Sequence, residues 1–260
     1  MGMSNRLLRP RATGFSPKNI SSLELWLDAS DSATITSSSS AVREWRDKSS
    51  SARVFSQSTA NNRPTLTTNV IGGKSALRFD GANDVLVSTA NAGALILPST
   101  LFIVGNKATN TGDGGLLTHQ KTGEDSYNSD SMYCITTNSN AAGIRVLGGT
   151  STTLFPGVQA STAVLGSFIM SLTISTNSGI LRNLTAGVSN TDSSFTFSAT
   201  PSNNGLALGV IATWNGAAIT YVHYLTGDIA EVIGYSKALS ASEASQVGAY
   251  LAKKYGLTLA

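Results

Sequence analysis

Apolar side chains in this chain recur at every second position over short stretches, the period of a strand whose two faces meet different surroundings. Leu23, Leu25 and Leu27 alternate with Glu24 and Trp26 before Asp28-Ala29-Ser30-Asp31 breaks the run. Comparable runs predict strands at Val42–Arg46, Arg53–Gln57, Ala76–Phe79, Val85–Ser88, Leu101–Gly105, Met132–Thr136, Gly143–Leu147, Phe168–Ser175, Ile180–Leu184, Leu206–Gly209 and Ile219–Leu225. Gly, Asn, Asp and Ser fill nearly every gap, as turns with left-handed backbone or side-chain-to-backbone hydrogen bonds require. Short strands punctuated in this way predict an all-β fold, a two-sheet antiparallel sandwich of jelly-roll kind.

One stretch has a different period. A strand from Gly227 turns through Lys237-Ala238-Leu239 into Ser240-x-x-Glu243, a capping box whose hydroxyl and carboxylate satisfy orphan amides at a helix start. Ala244, Val247, Tyr250 and Leu251 then share a face, Lys253 and Lys254 stand where the helix dipole favours cations, and Gly256 suits a left-handed C-cap. This predicts one C-terminal helix, packed on the sandwich as a lid. Ser37–Ser40 reads as a polar loop, and Gly112-Asp113-Gly114-Gly115 as a flexible turn without the lysine of a phosphate-cradling loop.

Residues 1–22 show neither period. They carry Arg6, Arg9, Arg11 and Lys18 with Pro10 and Pro17, which hold their neighbours in extended conformations and remove backbone donors. We expect an extended arm over 1–22 laid on a surface, and a single sandwich over 23–260.

Composition narrows the function. Only 13% of the 260 residues are charged, against about a quarter in ordinary domains. Ser, Thr, Asn and Gly together make up roughly two-fifths of the chain, so the surface is rich in hydroxyls and amides. A net charge of +3 without a dense basic patch argues against nucleic acid as a partner. No apolar run approaches the ~20 residues of a membrane span, and the first thirty residues lack the apolar core of a secretory signal. These features predict a protein made and folded in a cytoplasm, without membrane contact. Cys134 is the only cysteine, which excludes an intrachain disulfide and a cysteine-based metal cluster.

Several separated motifs carry a resemblance. Leu25-Trp26-Leu27-Asp28-Ala29-Ser30-Asp31, Trp45-Arg46-Asp47-Lys48-Ser49, Arg63-Pro64, and Leu77-Arg78-Phe79-Asp80-Gly81 with Asp84 and Leu86 resemble the opening of concanavalin A-like, laminin-G-like jelly-roll domains. The segment Gly227 to Glu243 resembles their last strand and elbow. The resemblance covers roughly residues 23–88 and 221–256. In physical terms, Trp26, Trp45 and Phe79 are apolar anchors, Asp80-Gly81 is a turn pair, and Asp28, Asp31, Asp47, Asp228 and Glu231 are placed to tie strand ends.

Glucanases of this fold use carboxylates on alternate strand residues facing one cleft. No such triplet is present here. Glu44 and Asp47, like Asp228 and Glu231, are three apart, which on a regular strand places the pair on opposite faces. His119 and His223 are isolated, and no Gly-x-Ser-x-Gly elbow occurs. We therefore expect no catalytic residues. Asp113, Glu124, Asp125 and Asp130 crowd one region without calcium-loop spacing, so neither metal nor cofactor is expected.

Sugar sites in sandwiches combine an aromatic platform with amide and carboxylate groups on loops. Tyr127-Asn128-Ser129-Asp130 and Trp214-Asn215-Gly216 have that makeup, so Tyr127, Asn128, Asp130, Trp214 and Asn215 are candidate glycan contacts. The resemblance also extends to surface proteins of bacteriophage particles, where such domains occur as decorations, fibres and tail parts. The expectation at this point is a non-enzymatic virion structural or decoration protein. It would attach to other capsid or tail proteins, or to copies of itself, partly through Arg6, Arg9, Arg11 and Lys18. A lectin-like adhesion module for a host-surface glycan is the alternative.

Overall fold

The two-residue period of the first strand is kept in space: Leu25 and Leu27 enter the core, while Trp26 and Asp28 point to the opposite face. The computed structural model describes residues 14–88, 95, 97–107, 114–120, 122–123, 134–137, 144–147, 165–193 and 205–260. The strands are β1 (Leu23–Asp28), β2 (Ile35–Ser38), β3 (Ala41–Arg46), β4 (Val54–Ser56), β5 (Thr65–Ile71), β6 (Lys74–Asp80), β7 (Leu86–Ser88), β8 (Ser99–Lys107) and β9 (Gly114–His119). They continue as β10 (Cys134–Thr137), β11 (Ile144–Leu147), β12 (Gly166–Ile174), β13 (Gly179–Asn183), β14 (Val188–Asp192), β15 (Leu206–Leu208), β16 (Ile211–Trp214), β17 (Ile219–Val222) and β18 (Thr226–Tyr235), followed by helix α1 (Ala241–Tyr255).

One hydrogen-bonded path runs β11-β10-β9-β15-β7-β4-β3-β5-β6-β18-β8-β12-β13-β14, with β1 on β18 and β2 on β3. Its distant parts share one core: Trp45, Phe55, Leu86, Leu117 and Leu208 pack with Leu77, Ile103, Met170, Leu172 and Val232. The path therefore folds back on itself as the expected two-layered antiparallel sandwich. On the outer face of the β18–β8–β12 layer, Trp26, Phe102, Val104, Ile169, Ile233 and Tyr235 meet Val247, Leu251 and Tyr255 of α1. Each such fully buried side chain stabilises by ~1.5–3 kcal/mol, enough to hold the helix as the expected lid. The capping box is formed: Glu243 N–H donates to Ser240 Oγ at 3.3 Å, and Ser240 N–H to Glu243 Oε2 at 2.9 Å. Gly256 closes the helix at φ 62°.

Several local expectations change. Gly114 and Gly115 belong to β9 and are buried, not a flexible turn. Ser37 and Ser38 end β2, and Ser39 and Ser40, at φ 48° and 72°, make the turn into β3. The run Ile219–Leu225 is interrupted at His223, whose φ is 52°, so β17 stops at Val222. In the described end of the arm, Pro17–Asn19 is a 3-10 turn capped by Ser16, not an extended segment. Pro17 and Ile20 are buried there, and Tyr235 Oη donates to the Pro17 carbonyl at 3.1 Å.

The Asp80-Gly81 turn forms as expected and also contains a titrating group. Asp84 is buried and accepts the Asp80 N–H at 3.0 Å. Burial, reinforced by the Asp80 charge and partly offset by that N–H, pushes Asp84 up to about 6. Because the folded value lies above the unfolded one, the favourable contribution is full below the ordinary aspartate range and is lost as pH rises through about 6. After discounting for solvent screening, we expect Asp84→Asn to flatten the stability profile between pH 4 and 7 by about 1 kcal/mol. Urea unfolding at three pH values tests this; parallel profiles would show that the carboxylate is effectively hydrated.

Candidate functional site

The face opposite the helix is covered by the β16–β17 hairpin, whose register sorts its side chains. Ala212 lies opposite Tyr221 and Trp214 opposite Ile219, so these four share one side, while Thr213 and Thr220 share the other. The two threonine hydroxyls lock the strands at 2.8 Å. Asn215-Gly216 forms the turn, with Gly216 at φ 93°. Asn215 Oδ1 accepts the Ala217 and Ala218 N–H groups at 3.0 and 2.9 Å. The amide oxygen of Asn215 is thus used by the turn, and its NH2 is the group left for a ligand. Trp214 is half-buried and Asn215 exposed, side by side at the hairpin end.

The hairpin is held firmly. Tyr221 and Tyr224 pack on Val85, Ala207 and Val210, and Thr118 Oγ1 donates to the Val210 carbonyl at 3.0 Å. Gln120 Nε2 donates to Tyr221 Oη at 2.7 Å. Burial raises the Tyr221 pKa, with the Gln120 hydrogen bond opposing and Tyr224 adding, so the phenol stays protonated at neutral pH. Tyr221, on the Trp214 side of the hairpin, and the buried Gln120 that bonds it are polar groups that the sequence reading misses. The signal for Tyr221 lay in its two-residue spacing from Ile219, the partner of Trp214.

Among the described residues, the densest ionisable cluster lies under α1. Lys254 Nζ reaches Asp28 Oδ1 at 2.7 Å and Glu231 Oε2 at 2.6 Å. Glu231 also accepts from Trp26 Nε1 at 2.8 Å, Tyr250 Oη at 3.1 Å and Tyr255 Oη at 2.9 Å. Lys48 Nζ binds Asp28 and Asp31 and stands 4.2 Å over the Trp26 ring. Burial works to raise Asp28, but Lys254, Ser30 and Lys48 outweigh it and hold the carboxyl below its usual range. Burial wins at Glu231 and pushes it up despite Lys254. Burial and the nearby carboxylates also raise Tyr250 and Tyr255. Every acid here is tied to a donor, so the cluster joins β1, β18 and α1. Lys254 is an ion-pair partner, a more specific role than the dipole complement the sequence suggests.

One carboxylate expectation is corrected. Ile229 lies opposite Gly105 and Glu231 opposite Val104, so Ala230 is an extra residue in β18. Such a bulge slips the alternation by one. Asp228 and Glu231 therefore share the outer face. Asp228 is bound there by Arg78 at 2.8 and 3.2 Å and by Asn106 at 3.1 Å.

Of the expected arm residues, Lys18 is exposed, 5.9 Å from the Trp26 ring, and Arg6, Arg9 and Arg11 lie outside the described residues. Tyr127, Asn128 and Asp130 also lie outside them, as do Asp113, Glu124 and Asp125. Among the described residues, no three His, Cys, Asp or Glu side chains are grouped to hold a metal ion.

No protein-family model and no curated protein sequence matches this chain. Solved structures do. A Trypanosoma rangeli sialidase is similar over 90% of this chain, with TM-score 0.57 and 14% identity. The chain spans 33% of that sialidase. The binding domain of botulinum neurotoxin DC in complex with SialylT is similar over 89% of this chain and 52% of its own, with TM-score 0.56 and 11% identity. The serotype D/C VPI 5993 binding domain gives TM-score 0.55 at 11% identity, over 91% of this chain and 53% of its own. The fold is a lectin-like β-sandwich. Two expectations change with this finding. The expectation of a non-enzymatic protein is withdrawn, because sialidases share the fold and a likeness at 14% identity decides nothing about catalysis. The virion role gains no support from these similarities.

Proposed function

We propose that this chain is a carbohydrate-binding module that takes a glycan at the exposed corner of the β16–β17 hairpin. The supporting observation is the pairing of the half-buried Trp214 ring with the exposed Asn215 amide on a hairpin fixed to the sandwich. An indole offers a flat apolar surface to the C–H face of a sugar ring, and an amide NH2 donates to its hydroxyls. Tyr221, on the same hairpin side, and the buried Gln120 that donates to it brace the hairpin from beneath. The likeness to a toxin binding domain solved in complex with SialylT is consistent with this reading at the level of fold.

The test is a glycan array with the native protein and Trp214→Ala. We expect selective binding to a subset of glycans, reduced at least ~10-fold by the substitution, about 1.4 kcal/mol. The thermal midpoint should change far less than it would for a core residue. Binding unchanged in Trp214→Ala, or a blank array, would remove the hairpin from consideration.

A further inference from the structure

A groove of about 390 Å³ runs between α1 and the outer face of β8, β12 and β13, away from the hairpin. Its volume lies in the range of small-molecule sites. The floor consists of two cross-strand rows: Phe102–Ser171–Arg182 and Thr100–Thr173–Ile180. The helix contributes Ala241, Ala244, Ser245 and Gly248, small residues three or four apart, and that is why a space remains where α1 crosses the sheet.

Two polar side chains in this groove have no hydrogen-bonding or ionic partner among the described residues. Ser171 is 4% exposed, and its hydroxyl makes no hydrogen bond with any described residue. Arg182, directly opposite it on β13, has no carboxylate or carbonyl partner among the described residues. A hydroxyl open to a groove can donate to and accept from a ligand, and a guanidinium set beside an apolar wall is a preformed fork for a carboxylate. The acid nearest on the helix, Glu243, is neutralised by Lys237 at 2.6 Å. The first turn of α1 adds favourable dipole potential for an anion.

We propose that this groove binds a monosaccharide-sized hydroxylated carboxylate, with Arg182 holding the carboxylate, Ser171 a ring hydroxyl, and Phe102 and Ile180 the apolar ring face. The site is separate from the hairpin and does not depend on its reading. The probes are glucuronate and neutral glucose, titrated by NMR into the native protein, Arg182→Gln, Ser245→Trp and Trp214→Ala at low salt. For a ligand of this size we expect a Kd on the order of 1 mM for glucuronate and no measurable binding of glucose. Arg182→Gln should weaken glucuronate by at least about tenfold. Ser245→Trp, an exposed helix position that fills the groove mouth without touching the floor, should abolish binding while leaving the fold signals in place. Trp214→Ala should bind as the native protein does. Equal binding of the two sugars, no glucuronate binding at 20-fold higher concentration (about 20 mM), or unchanged titration of Arg182→Gln would each overturn the proposal.

Discussion

Lys254→Met will destabilise the protein by about 3–5 kcal/mol, because it leaves Glu231 and Asp28 buried without the cation they share. In a domain of this size that is a drop in Tm of roughly 10 °C. The loss should depend on pH. Burial already raises Glu231, and without Lys254 the folded protein will bind its proton more tightly still. A folded pKa above the unfolded one makes the variant relatively more stable in acid and progressively weaker as pH rises, so the deficit should be larger at pH 8 than at pH 5. Glu231→Gln in the Lys254→Met background should restore part of the stability at pH 8 and little at pH 5. A deficit under about 1 kcal/mol that is independent of pH would mean that packing alone seats the helix.

Gly115→Ala should be as damaging for a purely steric reason. Gly115 is extended, so alanine suits its backbone and would ordinarily stabilise by ~0.4–1 kcal/mol through the unfolded chain. A Cβ at this position, however, would overlap the carbonyl of Val210 and crowd Ile211 N at 2.7 Å. Both obstacles are backbone, which cannot rotate away. We expect destabilisation by about 3 kcal/mol and displacement of the β16–β17 hairpin, with any glycan binding at Trp214 lost in parallel. Urea unfolding and the near-ultraviolet dichroism of the aromatic residues measure the two effects. Stabilisation by the substitution would falsify the close contact of β9 with the Val210–Ile211 backbone.

The elements that were legible from sequence are those whose side chains reveal their surroundings. Leu25 and Leu27 alternate with Trp26 because the sheet has a core on one side and a helix on the other. Ser240, Glu243 and Gly256 mark α1 because capping is local chemistry. Where the surroundings are uniform the pattern vanishes: β5 and β14 are largely threonine, asparagine and serine, and β9 is buried throughout, so none of these alternates clearly. The bulge at Ala230 is invisible because it adds a residue without changing residue type, yet it decides on which face Glu231 falls. The Trp214-Asn215 corner is visible as a turn. The Gln120–Tyr221 bond that braces the hairpin depends on strands far apart in the chain, and the Arg182–Ser171 pair on register between strands, which no single-sequence period records.

The position of β18 also bears on how the molecule assembles. It is the last strand of the sandwich to be synthesised, and it pairs with β8 along one side and with β6 and then β1 along the other. Until it emerges, those three strands keep open edges, and nascent edges of this kind invite pairing with other chains. Glu231, the acceptor for Lys254 and Tyr255, also arrives only with this strand. Closure must therefore wait for the C-terminal part of the chain, with contacts spanning nearly its whole length, a topology associated with slow folding. The nascent protein stays vulnerable to aggregation until one central strand is seated and α1 closes over it.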